Sequence, residues 1–241
     1  MQIKELSYSS FNEYANFCPL KYYYRKILGL EPEFISCEMV YGSGFHSALE
    51  QHYIAMLEGK SITFESMVDV FAASFDNPKI RYNGQTRDEL IYEGAELLNL
   101  GRNLNLGKVT GVEVPFEVKL ADDLTLTGFI DLLVIDKHGR RCIIDFKTAK
   151  KRPSLNDVEN HHQLSTYNLA YPDSYMKLVV FLKQKKPDVE CFDTTRELAD
   201  RKRMVKMYLA VKQAIESGCF YPREGYWCGG CGYRDKCKQD F

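Results

Sequence analysis

The sequence has no long apolar run. Nowhere do about 18 hydrophobic residues follow one another, so no membrane-spanning helix is expected. It has no excess of either charge, with 32 Lys and Arg against 33 Asp and Glu and a formal net charge of −1. Binding of nucleic acid by bulk positive charge is thereby excluded, whereas a local basic patch is not. There is no internal repeat and no low-complexity stretch, so neither a repeat array nor a disordered tail is expected. No G-x-x-x-x-G-K-[ST] occurs, which removes P-loop nucleotide hydrolysis and helicase action. The opening residues, MQIKELSYSSFNEYANF, offer neither an apolar core nor a small-residue cleavage site, so no signal peptide is expected. The expected compartment is the cytosol.

What is present is an ordinary globular composition, 45 % apolar and 27 % charged over 241 residues, enough for one domain or at most two small ones. Basic residues gather at Lys150-Lys151-Arg152, at Lys183 with Lys185-Lys186, and at Arg201-Lys202-Arg203. Eight cysteines in a reducing compartment point to metal or redox chemistry rather than disulfides.

Serines 7, 9 and 10 can cap a helix, and residues 7–28 form an aromatic amphipathic stretch interrupted at Cys18-Pro19. Helical spacing of apolar residues predicts helices over 43–58, 62–75 and 86–105. Strands are expected at 110–119, 124–135 and 141–147, the last two joined by a turn at 137–140. Helix returns over 155–170, strands at 177–183 and 188–193, and a long helix over 195–217. The fold expected from this order is α/β, a mixed central sheet flanked by helices.

Two acidic groups stand in or at the end of apolar strands: Asp131 in FIDLLVI and Asp145 in CIIDFK. Burying a carboxylate there is expensive unless it is paired or metal-bound. Alternation puts Asp145 and Lys147 on one face and turns Phe146 into the core. Pairing across the 137–140 turn would bring Asp131 beside Asp145. Two such carboxylates make a hard oxygen site for Mg²⁺ or Mn²⁺, and an ammonium alongside suits phosphodiester hydrolysis. A lone D-x-K is more often a strand-edge ion pair, so the surrounding residues matter. His46 falls in G-S-G-F-H, where the glycines and serine suit a helix start with the histidine in its first turn. Gln163 and Tyr167, four apart, project together from the helix that follows.

The ordered set G-x-x-x-H (Gly42, His46), G-x-I-D (Gly128, Asp131), I-D-x-K (Ile144, Asp145, Lys147) and Q-x-x-x-Y (Gln163, Tyr167) resembles the RecB-like branch of the PD-(D/E)XK nuclease superfamily. The resemblance spans nearly the whole chain. It implies a restriction-endonuclease-like core with His46, Asp131 and Asp145 as ligands of Mg²⁺ or Mn²⁺, joined by the Phe146 carbonyl. Lys147 would be catalytic, with Gln163 and Tyr167 orienting DNA or the site. Glu113 is a weaker candidate for a second metal, more readily explained as a surface glutamate on an edge strand.

Near the end of the sequence, Cys228, Cys231 and Cys237 form C-x₂-C-x₅-C, with glycines permitting close backbone approach. Three thiolates need a fourth, and Cys18 is the best remaining candidate; Cys37, Cys142, Cys191 and Cys219 read as buried free thiols. Spacing alone leaves zinc and iron–sulfur open. One early cysteine plus this trio around a RecB-like core resembles the iron–sulfur nucleases, including the CRISPR-associated RecB-like exonucleases and the AddB nuclease subunit. That resemblance implies a [4Fe-4S] cluster on Cys18, Cys228, Cys231 and Cys237, stapling residues 1–37 to 218–241 around a 38–217 core in one domain. The function it implies is a DNA exonuclease acting on single strands or free ends, in CRISPR adaptation, recombination and repair, or phage DNA metabolism. Protein partners in an adaptation or recombination complex are compatible with it. The competing expectation is a non-catalytic, cluster-bearing DNA-binding scaffold on the same fold.

Overall fold

The computed structural model describes residues 1–241. Its centre is a six-stranded sheet. Strands β4 (Lys108–Ala121), β5 (Leu124–Ile135) and β6 (Arg141–Ala149) form the expected antiparallel meander. β7 (Tyr175–Leu182) joins β6 in parallel, and β8 (Asp188–Thr194) closes that side antiparallel to β7. At the start of the chain, β1 (Glu5–Ser7) adds in parallel to residues 125–127 of β5. A small pair, β2 (Ile35–Ser36) with β3 (Ile80–Arg81), lies apart.

β6 is nearly continuous in apolar residues because helices cover both its faces, the usual state of a strand buried on two sides. Ile143 packs with Val158, Leu164 and Tyr208, while Cys142, Ile144 and Phe146 pack with Phe45, Leu49 and Leu97. On the second face lie α3 (Cys37–Leu57), α4 (Phe64–Ala73) and α5 (Arg87–Arg102). α6 (Leu155–Glu159), α7 (His162–Ala170) and α8 (Leu198–Glu216) cover the first. No helix is long and apolar enough to cross a membrane.

Two helices differ from expectation. α3 begins well before residue 43, because the Ser36 side chain accepts the Met39 N–H and caps it. His46 therefore sits in mid-helix, and the glycines serve packing instead of a helix start. A Cβ on Gly44 would lie 2.6 Å from Ser74 Oγ on the neighbouring segment. The helix expected over 155–170 is two helices. His161 is extended (φ −69°, ψ 104°) and so divides α6 from α7, which turns the following residues toward the sheet.

At the N-terminal end, α1 (Tyr8–Asn12) is capped by Ser7 and runs into a π-helical turn at Glu13–Phe17. Cys18 is extended, as the Cys18-Pro19 break implies, and Pro19 opens α2 (Pro19–Tyr22), where its missing N–H costs nothing. The C-terminal end supplies a 3₁₀ turn at Tyr226–Gly230 and α9 (Arg234–Asp240). The two ends meet. Tyr24 donates to Asp240 at 2.6 Å, Tyr233 to the Leu30 carbonyl at 2.8 Å, and Arg223 to the Ala15 carbonyl. Leu20, Tyr24 and Tyr233 form a small buried cluster between them.

Candidate active site

β1 and β6 share one edge of β5. β1 occupies residues 125–127 and β6 occupies 132–135, so residues 128–131 have no strand beside them on that edge. β5 and β6 pair only from Leu132–Ile144 to Ile135–Arg141, then part. Asp131 and Asp145 are the first residues beyond the pairing. The sequence expectation that they converge is met at the mouth of this split.

Asp131 Oδ2 accepts the Phe146 N–H at 3.0 Å and lies 3.4 Å from His46 Nδ1. Asp145 is wholly buried. Its Oδ2 lies 2.8 Å from Lys147 Nζ, yet receives no hydrogen bond of good geometry, so this oxygen retains acceptor capacity. On the other oxygen, the Tyr167 hydroxyl donates across a long 3.5 Å, and Gln163 Nε2 donates to that hydroxyl at 2.7 Å. Gln163, Tyr167 and Asp145 thus form one chain of contacts. Phe146 turns the other way, stacked on Tyr53 with ring centroids 5.6 Å apart.

The backbone is bent at this point. Ile130 belongs to one core cluster and Leu132 to the other, although strict alternation would put both on the same face. Across the ladder Glu113 takes a left-handed conformation, φ +45°, costly for a residue other than glycine. The bend turns Asp131 toward β6 and brings Glu113 to the site.

Glu113 is consequently not a surface edge-strand residue. It is half-buried, and burial, with the charges of Asp131 and Glu50, pushes its carboxyl up to about 7. Burial first, then Asp145, raises the Asp131 carboxyl, and His46 and Lys147 do not fully offset them. Burial works to lower the Lys147 ammonium, but Asp145 and Asp131 outweigh it and hold it charged. Four carboxyl groups, of Glu50, Glu113, Asp131 and Asp145, thus face a single lysine and one histidine. Such a surplus of hard oxygen donors is what a divalent cation relieves.

Three residues at the site were missed in the sequence. Glu50 follows His46 by one helical turn, so H-x-x-x-E was a readable signal. Tyr8 and His161 gave none, because the break before α7 and the approach of α1 are tertiary events. Both lie close enough to Asp145 to feel its charge, and His161 Nδ1 is buried without a partner.

The sequence profile of the PD-(D/E)XK nuclease superfamily matches residues 5–238. The chain belongs to that superfamily. Members typically use Mg²⁺ or Mn²⁺, in keeping with the oxygen-rich site. No curated protein matches the sequence. Among solved structures, a protein from Eubacterium rectale described as a candidate exonuclease overlays with a TM-score of 0.60. It shares 14 % identity, over 99 % of this chain and 88 % of its own, so the likeness is one of fold. The structure of SSO0001 overlays at a TM-score of 0.43 with 14 % identity, over 92 % of this chain and 95 % of its own.

This nuclease-superfamily chain has a second cluster of candidate ligands. Cys18, Cys228, Cys231 and Cys237 line one cavity of about 330 Å³ between the chain ends, walled by Phe17, Leu20, Trp227 and Tyr233. Burial, then the neighbouring cysteines, pushes the Cys237 thiol up, and the Cys231 thiol is also raised, by burial first. The Arg223 N–H donates to Cys18 Sγ at 3.5 Å. Nowhere in the protein do three or more His, Cys, Asp or Glu side chains stand in an arrangement that could hold a metal ion as they are placed. The four predicted thiols share one space nonetheless. Of the other four, Cys37 and Cys142 are buried as expected, but Cys191 and Cys219 are exposed. Cys191 stands on β8, the outermost strand of its side, and Cys219 follows the end of α8.

Proposed function

We propose that the chain is a divalent-metal-dependent deoxyribonuclease, working as an exonuclease on single-stranded DNA or DNA ends. The observation that carries this reading is the meeting of Asp131, Asp145 and Lys147 where β5 and β6 part, with His46 3.4 Å from Asp131. His46, Asp131 and Asp145, with the Phe146 carbonyl, would hold Mg²⁺ or Mn²⁺; Glu113 and Glu50 stand where they could serve a second ion. The cation, when bound, supplies Lewis acidity to a phosphodiester oxygen.

The side chains have separate tasks. Lys147 stays an ammonium beside Asp145, placed to orient a water and to oppose charge growing on the phosphoryl oxygens. Tyr167, braced by Gln163, fixes the second oxygen of Asp145 and so sets the direction of the first. His46, reaching in from α3 to 3.4 Å from Asp131, would add a nitrogen donor beside that carboxylate.

Cys18, Cys228, Cys231 and Cys237 would hold a [4Fe-4S] cluster. Four soft donors fit either zinc or a cubane. The preference for the cubane rests on the likeness of this cysteine arrangement to that of the iron–sulfur nucleases. Its role is to staple the two chain ends. Work in the cytosol in CRISPR adaptation, recombination and repair, or phage DNA metabolism, with protein partners there, is consistent with such an enzyme.

The test is digestion of end-labelled single- and double-stranded DNA with Mn²⁺, by the wild type and by Asp145→Ala. Stepwise shortening of single strands, absent in the variant, is expected. DNA left intact by the wild type in both Mg²⁺ and Mn²⁺ would refute the proposal and favour a non-catalytic DNA-binding scaffold.

A further inference from the structure

A cavity of about 710 Å³ opens against the Gln163–Tyr167 pair, within the roughly 300–1,000 Å³ usual for ligand clefts. It lies along the unpaired stretch of β5, between that strand, β1, β4 and α7. Gln163 and Tyr167 belong to its wall, and the Tyr167 hydroxyl also reaches Asp145 at 3.5 Å, so the cavity and the carboxylate site meet at these two side chains. Tyr8, near enough to Asp145 to feel its charge, forms another part. On the rim stands Phe129, two residues before Asp131 and 59 % exposed. Its ring is open to solvent at the cavity mouth and so is free to meet a flat ligand.

The charge of the lining narrows the occupant. No lysine or arginine contributes to it, while Glu5 and Glu117 do. A phosphate would find no cation there and two repelling carboxylates. A nucleobase would find aromatic faces, hydroxyls of Ser7, Ser9 and Thr127, and carboxylates able to accept its exocyclic amino hydrogens. Positive charge lies along the other arm of the split. Past the end of β6 at Ala149 the chain runs into Lys150-Lys151-Arg152, and the Lys183 N–H donates to the Ala149 carbonyl at 2.8 Å, drawing the 183–186 segment alongside. One arm suits a base and the other suits a backbone.

Resting on the nuclease reading above, we infer that this cavity is a subsite for one unpaired nucleotide next to the scissile phosphate, with its base stacked on Phe129. A base held in a duplex cannot enter such a cavity without being unpaired first. The site therefore selects single strands and frayed ends by shape, and no base-specific contact is required.

The test uses single-stranded oligonucleotides carrying 2-aminopurine at either end, and a duplex with the same base paired internally. Fluorescence and affinity are measured in EDTA and again with Ca²⁺, beside cleavage in Mn²⁺. Quenching of a terminal 2-aminopurine is expected with the wild type and not with the duplex. Phe129→Ala should abolish the quenching, weaken single-strand binding roughly tenfold and raise KM for cleavage. Phe129→Trp should restore all three. Because Phe129 is exposed, its loss leaves the core intact, and an unchanged Tm checks this. Unaltered quenching and affinity in Phe129→Ala, or no quenching in a wild type that still cleaves, would overturn the subsite and leave the nuclease standing. Quenching without cleavage would leave the subsite as a nucleotide-binding cavity and remove the hydrolysis. Neither binding nor cleavage would remove both.

Discussion

Asp131 and Asp145 lie on strands near the middle of the sequence, whereas Cys18 and the Cys228–Cys237 group come from its two ends. The carboxylates are placed by the sheet itself. Backbone pairing, the Phe146 N–H and the bend at Glu113 fix them without help from any ligand, against their mutual repulsion. The cysteines are held by two short helices, a 3₁₀ turn and a handful of hydrogen bonds between chain ends. A site built into a sheet is paid for in stability and repaid in chemistry. A site built from chain ends works the other way, because closing a long loop removes unfolded-state entropy.

Substitutions at the two sites should therefore separate activity from stability. Asp145→Asn is expected to lower cleavage by roughly 10³-fold, since the Lewis acidity at stake is worth several kcal/mol and each 1.36 kcal/mol is tenfold. Its melting temperature should stay close to wild type. Cys237→Ser should do the reverse. A link closing so long a loop is worth about 2–4 kcal/mol, and about 2–4 °C accompanies each kcal/mol in a chain of this size, so Tm should fall roughly 5–15 °C. The visible absorption of iron bound to thiolates should vanish as well, while activity per folded molecule at low temperature persists. A Cys237→Ser protein with full cluster absorbance and unchanged Tm would dissolve the contrast.

The self-repulsion of the carboxylates can be read from pH. Glu113 is held up at about 7 from an ordinary 4.5. Between those values the folded protein keeps a proton that the unfolded chain has lost, so stability of the metal-free protein falls as pH rises through that window and is level above it. Glu113→Gln should flatten that slope and make the metal-free protein more stable at pH 7 and above. Mn²⁺ should then stabilise the variant less than the wild type, as thermal melts at several pH values will show. Tyr167→Phe should have a smaller effect, a roughly tenfold loss in kcat with Tm nearly unchanged, because it removes only the hydroxyl between Gln163 and Asp145. At the smallest end, replacing exposed Cys191 or Cys219 by serine should alter neither activity nor cluster absorbance.

The same contrast governs what could be read in advance. Alternation in FIDLLVI and CIIDFK, with a tight turn between, made the meander and its carboxylates legible, because strand register depends on local pattern. The C-x₂-C-x₅-C spacing was legible for a similar reason, and only chemistry pointed to Cys18 at the far end. Glu113 was misjudged because its burial comes from a backbone bend that alternation does not encode. The early start of α3 was missed although Ser36 is a good cap, since Gly42 and Gly44 resemble a helix boundary more strongly than a serine does. At the division of the 155–170 helix around His161, the buried Arg196 guanidinium donates to the Val158 and His161 carbonyls, and a partner so distant in sequence leaves no local mark.

A manganese titration followed by electron paramagnetic resonance, on the wild type, Asp145→Asn and Cys237→Ser, puts the carboxylate site to the proof most directly. The free Mn²⁺ signal should be suppressed by the wild type and by Cys237→Ser, and should persist at full strength with Asp145→Asn. Equal suppression by all three proteins, or none by the wild type, would mean that the parting of β5 and β6 does not seat a cation.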